Sequence, residues 1–133
     1  ALYCSSSALP DGNRFGSDAP ALQPFKPGRS AEHPPRVYLA GPFFTMHQLW
    51  LVEEARAELT RMGMMVFSPF HDVGMILDSH EIARRDLAGL DGCDLVFALL
   101  DTLDAGTVFE IGYARKAGKP VVVFTQKVDP GDL

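Results

Sequence analysis

A chain of 133 residues, 47% hydrophobic and 22% charged, has the size and composition of one globular domain with a core of its own. Its net charge of −5, with no run of basic residues, argues against a nucleic-acid groove built on clustered Lys and Arg. Its apolar runs are too short to span a bilayer and no charged-then-apolar leader is visible, so a cytoplasmic setting is expected.

The first 35 residues differ from the rest. Pro10, Pro20, Pro24, Pro27, Pro34 and Pro35 are six of the ten prolines, set among Gly, Ser and Asp. Such composition reads as an extended arm or linker, with Leu2-Tyr3-Cys4 as a candidate short strand. The chain opens on Ala1 rather than Met, as a processed product or a piece of a longer one would. Residues 36–133 form the expected domain. Val37 to Ala40 is an apolar strand that meets a Gly41-Pro42 turn. Gln48 to Met62 is a helix, with Leu51, Ala55, Leu59 and Met62 on one stripe and Gly63 as its stop.

Met64 to Phe67 is the next strand, halted by Ser68-Pro69. Ser79 is a candidate N-cap for a helix reaching about Leu90. Asp94 to Leu100 reads as a fully buried strand. Thr107 to Lys116 is a helix with Gly118 as its stop, and Pro120 to Thr125 is a last strand. Cys4 and Cys93 have no metal-ligand spacing, and Cys93 beside a buried strand is expected to pack as a small apolar residue.

Apolar strands alternating with helices predict a parallel sheet of four to five strands covered on both faces. That is a flavodoxin-like or Rossmann-like three-layer α/β sandwich. Right-handed crossovers bring the carboxyl ends of all strands to one edge, where open sheets bind their ligands. The turns at Gly41, Ser68 and Leu100 converge there. The sequence has no P-loop and no Gly-x-Gly-x-x-Gly fingerprint.

Each candidate at that edge has a plain reading beside a chemical one. Glu110 completes Thr107-x-x-Glu110, the pattern of a capping box. It also stands near a helix start, where the dipole is expected to keep a carboxylate ionised and suited to act as a nucleophile. Asp104 is a turn residue or a ligand-binding carboxylate, and Asp86 a solvated helix charge or a site acid. Tyr38 is a core residue whose hydroxyl needs a partner. Phe43 and Phe44 are core or an aromatic wall for a planar ligand. His71-Asp72 is a polar pair in a loop at the same edge, and His47 and His80 read as surface residues.

These segments together resemble the nucleoside 2-deoxyribosyltransferases from Val37 to Phe124. Tyr38-Leu39-Ala40-Gly41-Pro42-Phe43-Phe44 is similar to the family's first strand and loop, and Ser68-Pro69-Phe70-His71-Asp72 to its second. Asp86 matches a mid-chain aspartate. Asp104-Ala105-Gly106-Thr107-Val108-Phe109-Glu110-Ile111-Gly112-Tyr113-Ala114 resembles the signature, with Gly118-Lys119-Pro120 after it. The resemblance implies that Glu110 is the nucleophile at C1′ of a 2′-deoxynucleoside and that Tyr38 holds and polarises it.

The resemblance also implies that Asp86 and Asp104 bind sugar and base, one of them handling the base's proton. Phe43 and Phe44 would pack near the ring, Gly41, Gly106 and Thr107 would line the site, and the His71-Asp72 loop would help select the base. A free nucleobase is the implied second partner, in nucleobase salvage. No metal and no organic cofactor is required. Family members usually continue past the point matching Leu133, with a segment that often serves a neighbouring subunit, so a homo-oligomer, dimer or higher, is implied. The Pro-rich arm has no counterpart in the pattern.

The chemistry stands without the family. Breaking an N-glycosidic bond builds oxocarbenium character that a nearby carboxylate stabilises or traps, while a second carboxyl group protonates the leaving base. Attack by a new base gives transfer, and attack by water gives hydrolysis. A nucleotide hydrolase needs phosphate donors that Gly41-Pro42-Phe43-Phe44 lacks, although backbone N–H groups or Ser68 would offer some. The non-enzymatic alternative is a nucleoside-binding module of the same fold.

Overall fold

The computed structural model describes residues 33–74 and 78–126. In chain order they form β1 (Arg36–Ala40), α1 (Met46–Arg61), β2 (Met65–Phe67), α2 (Pro69–Asp72), α3 (Ser79–Asp91), β3 (Leu95–Leu99), α4 (Ala105–Lys116) and β4 (Val121–Phe124). The expected arm lies outside the described residues except for residues 33–35, which carry neither helix nor strand, and so does the candidate strand at Leu2-Tyr3-Cys4.

The four strands are all parallel, in the order β2-β1-β3-β4. Chain order therefore reverses between β1 and β3, and a ligand crevice is expected above that switch point. Register fixes what faces it: Tyr38 lies between Phe67 and Val96, and Leu39 beside Phe97. With a period of two, Val37 and Leu39 join Leu95, Phe97, Val52 and Leu59 in a core under α1. Tyr38 and Ala40 join Val96, Ala98, Leu90 and Ala114 in a second core under α3 and α4. Burial of β1 and β3 on both faces is what their unbroken apolar sequences foretell. The result is the expected three-layer α/β sandwich, with four strands among the described residues.

The element bounds differ from expectation mainly at helix starts, and capping explains each shift. Thr45 caps α1 through a reciprocal box with Gln48, so the helix begins at Met46. Asp78 takes the cap of α3, and Ser79 becomes its first residue. Asp104 caps α4, its side chain accepting from the Thr107 N–H. Thr107 is thus inside the helix rather than its cap, which removes the capping-box role considered for Glu110. α2 is a single turn that the sequence pattern did not foretell, and Pro69 occupies its first position, where a missing N–H costs nothing. Cys93 is a free thiol buried in the core under α3 and α4, as expected.

Candidate active site

Tyr38 anchors the site from below. It is fully buried on β1, facing α3 and α4, and stacks on Phe67 at 5.5 Å between ring centroids. Its hydroxyl donates to Glu110 Oε1 at 2.6 Å. A short bond to a carboxylate is what a buried phenol needs as a partner. Burial, then the Glu110 carboxylate beside it, pushes the Tyr38 pKa far up, so the phenol keeps its proton and acts as the donor.

Glu110 lies past the first turn of α4. Burial raises its pKa to about 7, with Asp86 and Asp104 adding to the rise while the Tyr38 bond opposes it. Burial thus works against the ionised form that the helix dipole was expected to favour. The dipole's influence fades within the first turn, whereas desolvation acts on the whole carboxyl.

Asp86 projects from α3 with its Oδ1 buried and, among the described residues, without a hydrogen-bond partner. Burial raises its pKa as well. An unpaired buried carboxyl oxygen is a costly feature that structures retain for a reason. Asp104 differs. Its Oδ2 accepts from both the Thr107 N–H and the Thr107 hydroxyl, each at 2.8 Å, and Thr107 is 1% exposed. Here the turn and site readings of Asp104 coincide, because the cap residue also lines the cavity.

That cavity, about 220 Å³, opens over Glu110 at the switch point. Gly41, Phe43 and Phe44 enter it from the loop after β1, and Asp104, Gly106, Thr107 and Glu110 from α4 and its cap. Asp86 closes it from α3. Gly41 sits so close to Leu99 that an added Cβ would stand 3.0 Å from the Leu99 Cβ, so any side chain there would have to push β3 and the loop slightly apart. His71 and Asp72 do not line the cavity. The His71 ring bonds to Ser68 and Glu53, and Asp72 Oδ2 accepts from the Ser68 N–H.

His47 and His80 are exposed, as expected. A larger hollow of about 260 Å³ lies on the α1 side against Leu51 and Leu99, but it contains neither Glu110 nor Asp86.

Three contributors were not foreseen. Pro42 and Pro69 also line the cavity, and their positions just beyond β1 and β2 are the signal that would have found them. Gly89 is the third. A Cβ there would meet the Phe67 ring at 2.3 Å, so α3 packs against the ring that supports Tyr38 only because residue 89 has no side chain. Among the described residues no group of three or more His, Cys, Asp or Glu side chains is placed to hold a metal ion. No described helix is long and apolar enough to cross a membrane.

A carboxylate fixed by a phenol and facing a second, unpaired carboxyl across a small cavity is the equipment of glycosyl chemistry. The sequence model of the family described as nucleoside 2-deoxyribosyltransferase matches residues 37–132. The chain belongs to that family. By sequence, no curated protein matches it. Among solved structures it is similar to a 2-deoxyribosyltransferase from Bacillus psychrosaccharolyticus, at 29% identity over 73% of this chain and 78% of that one, with a TM-score of 0.63.

A 2-deoxyribosyltransferase from Leishmania mexicana aligns with 25% identity, the same TM-score of 0.63, and 73% and 68% coverage of the two chains. A Clostridium botulinum CMP N-glycosidase shares the fold at 23% identity and a TM-score of 0.57, covering 68% of this chain and 71% of its own. The signature running from Asp104 to Ala114 thus spans the α4 segment that carries the nucleophile candidate.

Proposed function

We propose that this chain transfers 2-deoxyribose between nucleobases through a covalent deoxyribosyl-Glu110 intermediate. The observation that carries the reading is the 2.6 Å Tyr38–Glu110 bond beside the unpaired Asp86 carboxyl in one cavity. A Glu110 oxygen attacks C1′ as the C1′–N bond breaks, and the bond's electron pair leaves with the base. Asp86 gives its proton to that base. An incoming base then attacks C1′ and yields its proton to Asp86, and Glu110 departs as a carboxylate. Two displacements at one carbon give net retention.

The residues divide the work by environment. Burial favours the protonated form of Asp86, which suits an acid. Asp104, held by its cap bonds, has the fixed geometry of a binding group for sugar or base. Phe43 and Phe44 form the aromatic wall. Among the described residues no Lys, Arg or His lines the cavity, while Glu110, Asp86 and Asp104 all do. A phosphate would meet carboxyl groups and no counter-ion among these residues, so the reading favours an unphosphorylated nucleoside. A cytoplasmic homo-oligomer acting in nucleobase salvage completes the proposal.

The test is a chromatographic assay with 2′-deoxyinosine as donor, with and without free adenine or cytosine, alongside Glu110→Ala. New deoxynucleoside that needs the added base and vanishes in the variant is the expected result. Hypoxanthine release that ignores the acceptor makes the protein a hydrolase instead. Nucleoside binding without turnover makes it a binding module.

A further inference from the structure

Two side chains of the turn after β2 and one from α1 are joined in a line that the proposed reaction leaves unused. His71 Nδ1 lies 3.0 Å from Ser68 Oγ, and Nε2 lies 2.9 Å from Glu53 Oε1 on α1. Serine, histidine and a carboxylate in this order match the parts of a hydrolytic triad. Ser68 is only 1% exposed, however, so its oxygen meets no substrate. The line is not a nucleophile relay.

Its connections show what it holds. Ser68 stands at the cap position of α2 but gives the helix no side-chain cap bond, its hydroxyl being paired with His71 instead. Ser68 and His71 bracket Pro69 and Phe70. Phe70 meets the His71 ring edge-on at 5.0 Å and the Phe43 ring at 5.4 Å, and Phe43 meets Phe44 at 5.2 Å. Pro69, Phe43 and Phe44 face the Glu110 cavity. With Nε2 bonded to the Glu53 carboxylate and Nδ1 to the Ser68 hydroxyl, the ring is held at both nitrogens and its plane is fixed. With the ring locked, Phe70 has a fixed edge to rest on, and Phe43 a fixed Phe70.

We infer that Glu53, acting through His71, is a positioning residue that sets the aromatic wall against which the nucleobase packs. The inference rests on the deoxyribosyl-transfer reading of the cavity. Tyr38 and Glu110 belong to β1 and α4 and bond to each other rather than to this line, so its loss falls on base binding rather than on bond cleavage.

The experiment compares the full chain with Glu53→Ala and Glu53→Gln, each also carrying 4-fluorophenylalanine at position 43. Alanine suits an exposed helix position, so the first variant keeps α1. Glutamine keeps an acceptor for Nε2. Glu53→Ala is expected to raise the KM for the acceptor base about five- to tenfold with kcat within about twofold, and Glu53→Gln to stay near the parent. The fluorine resonance should move or split in the alanine variant and not in the glutamine one. An unchanged KM with an unmoved resonance overturns the inference. If the parent chain turns over no nucleoside, the transfer reading fails instead. The resonance then decides the wall alone: displacement in Glu53→Ala upholds the positioning role, and no displacement ends it.

Discussion

The two walls of the cavity follow opposite rules. On the α3–α4 wall, Asp86 keeps an oxygen without a partner, and Glu110 is raised to about 7 by burial. Behind the loop wall, outside the cavity itself, polar groups are paired: Gln48 accepts from the backbone of Phe44 and Thr45, Asp72 from Ser68, and His71 bridges Ser68 and Glu53. Desolvated carboxyls are poised to exchange protons and charge with a ligand, even where one oxygen is bonded as in Glu110, whereas the pairs behind the loop hold geometry. Asp104 combines the two behaviours: it shares the cavity with Glu110, yet its Oδ2 is engaged by both the N–H and the hydroxyl of Thr107.

The contrast breaks most visibly at the reacting carboxylate. Glu110→Ala is expected to lower transfer by about 10⁴-fold or more while leaving the fold intact, measured as product per active site under saturating donor. Asp86→Asn comes next, with a fall in kcat of about 10²- to 10³-fold, the usual worth of a general acid. A deoxyriboside whose leaving group needs no proton separates the roles. Asp86→Asn should cleave it nearly as well as the parent, and Glu110→Ala should not. If both variants recover on that substrate, the assignment of Glu110 is wrong.

Stability sharpens the same comparison. A carboxyl with a native pKa near 7, against an ordinary value of 4.5, holds its proton in the folded state after the unfolded chain has released it. The native state therefore loses stability as pH rises from about 4.5 to about 7, and the loss stays in full above that range. Glutamine does not titrate and still offers an oxygen to Tyr38. Glu110→Gln should thus be more stable than the parent by an amount that grows through this window, to on the order of 2–3 kcal/mol at pH 8. Denaturant midpoints at pH 5 and pH 8 check it. An equal gap at both pH values would mean that burial does not tax this group.

Much of this was legible in the sequence. Runs such as Leu95 to Leu99 and the stripe through Leu51, Ala55 and Leu59 encode burial by their periods, so sheet, helices and cores followed from local pattern. The Asp104–Ala114 signature located two of the cavity's three carboxyl groups, Asp104 and Glu110, for the same reason: they sit on one continuous segment. What escaped depends on contacts between distant segments. Nothing near Gly89 announces that Phe67 rests on it, and nothing near His71 announces Glu53. The upward push on the Glu110 pKa was not legible because local sequence shows a helix start but not the burial of the carboxyl.

The smallest effect tests the join between the walls and the floor. Tyr38 bonds the floor to Glu110, and that bond lowers the carboxyl's pKa against burial. Tyr38→Phe removes the donor and leaves the ring stacked on Phe67, so packing changes little. With the lowering influence gone, Glu110 ionises at a higher pH. The acid limb of the kcat/KM profile, set in the parent near the Glu110 value of about 7, should move up in the variant. The loss near neutral pH is expected to be about tenfold and to shrink as pH rises, because a more alkaline solution restores the carboxylate that the phenol had helped to form. A loss that is the same at every pH would show that Tyr38 acts on the transition state directly and leaves the resting charge of Glu110 untouched.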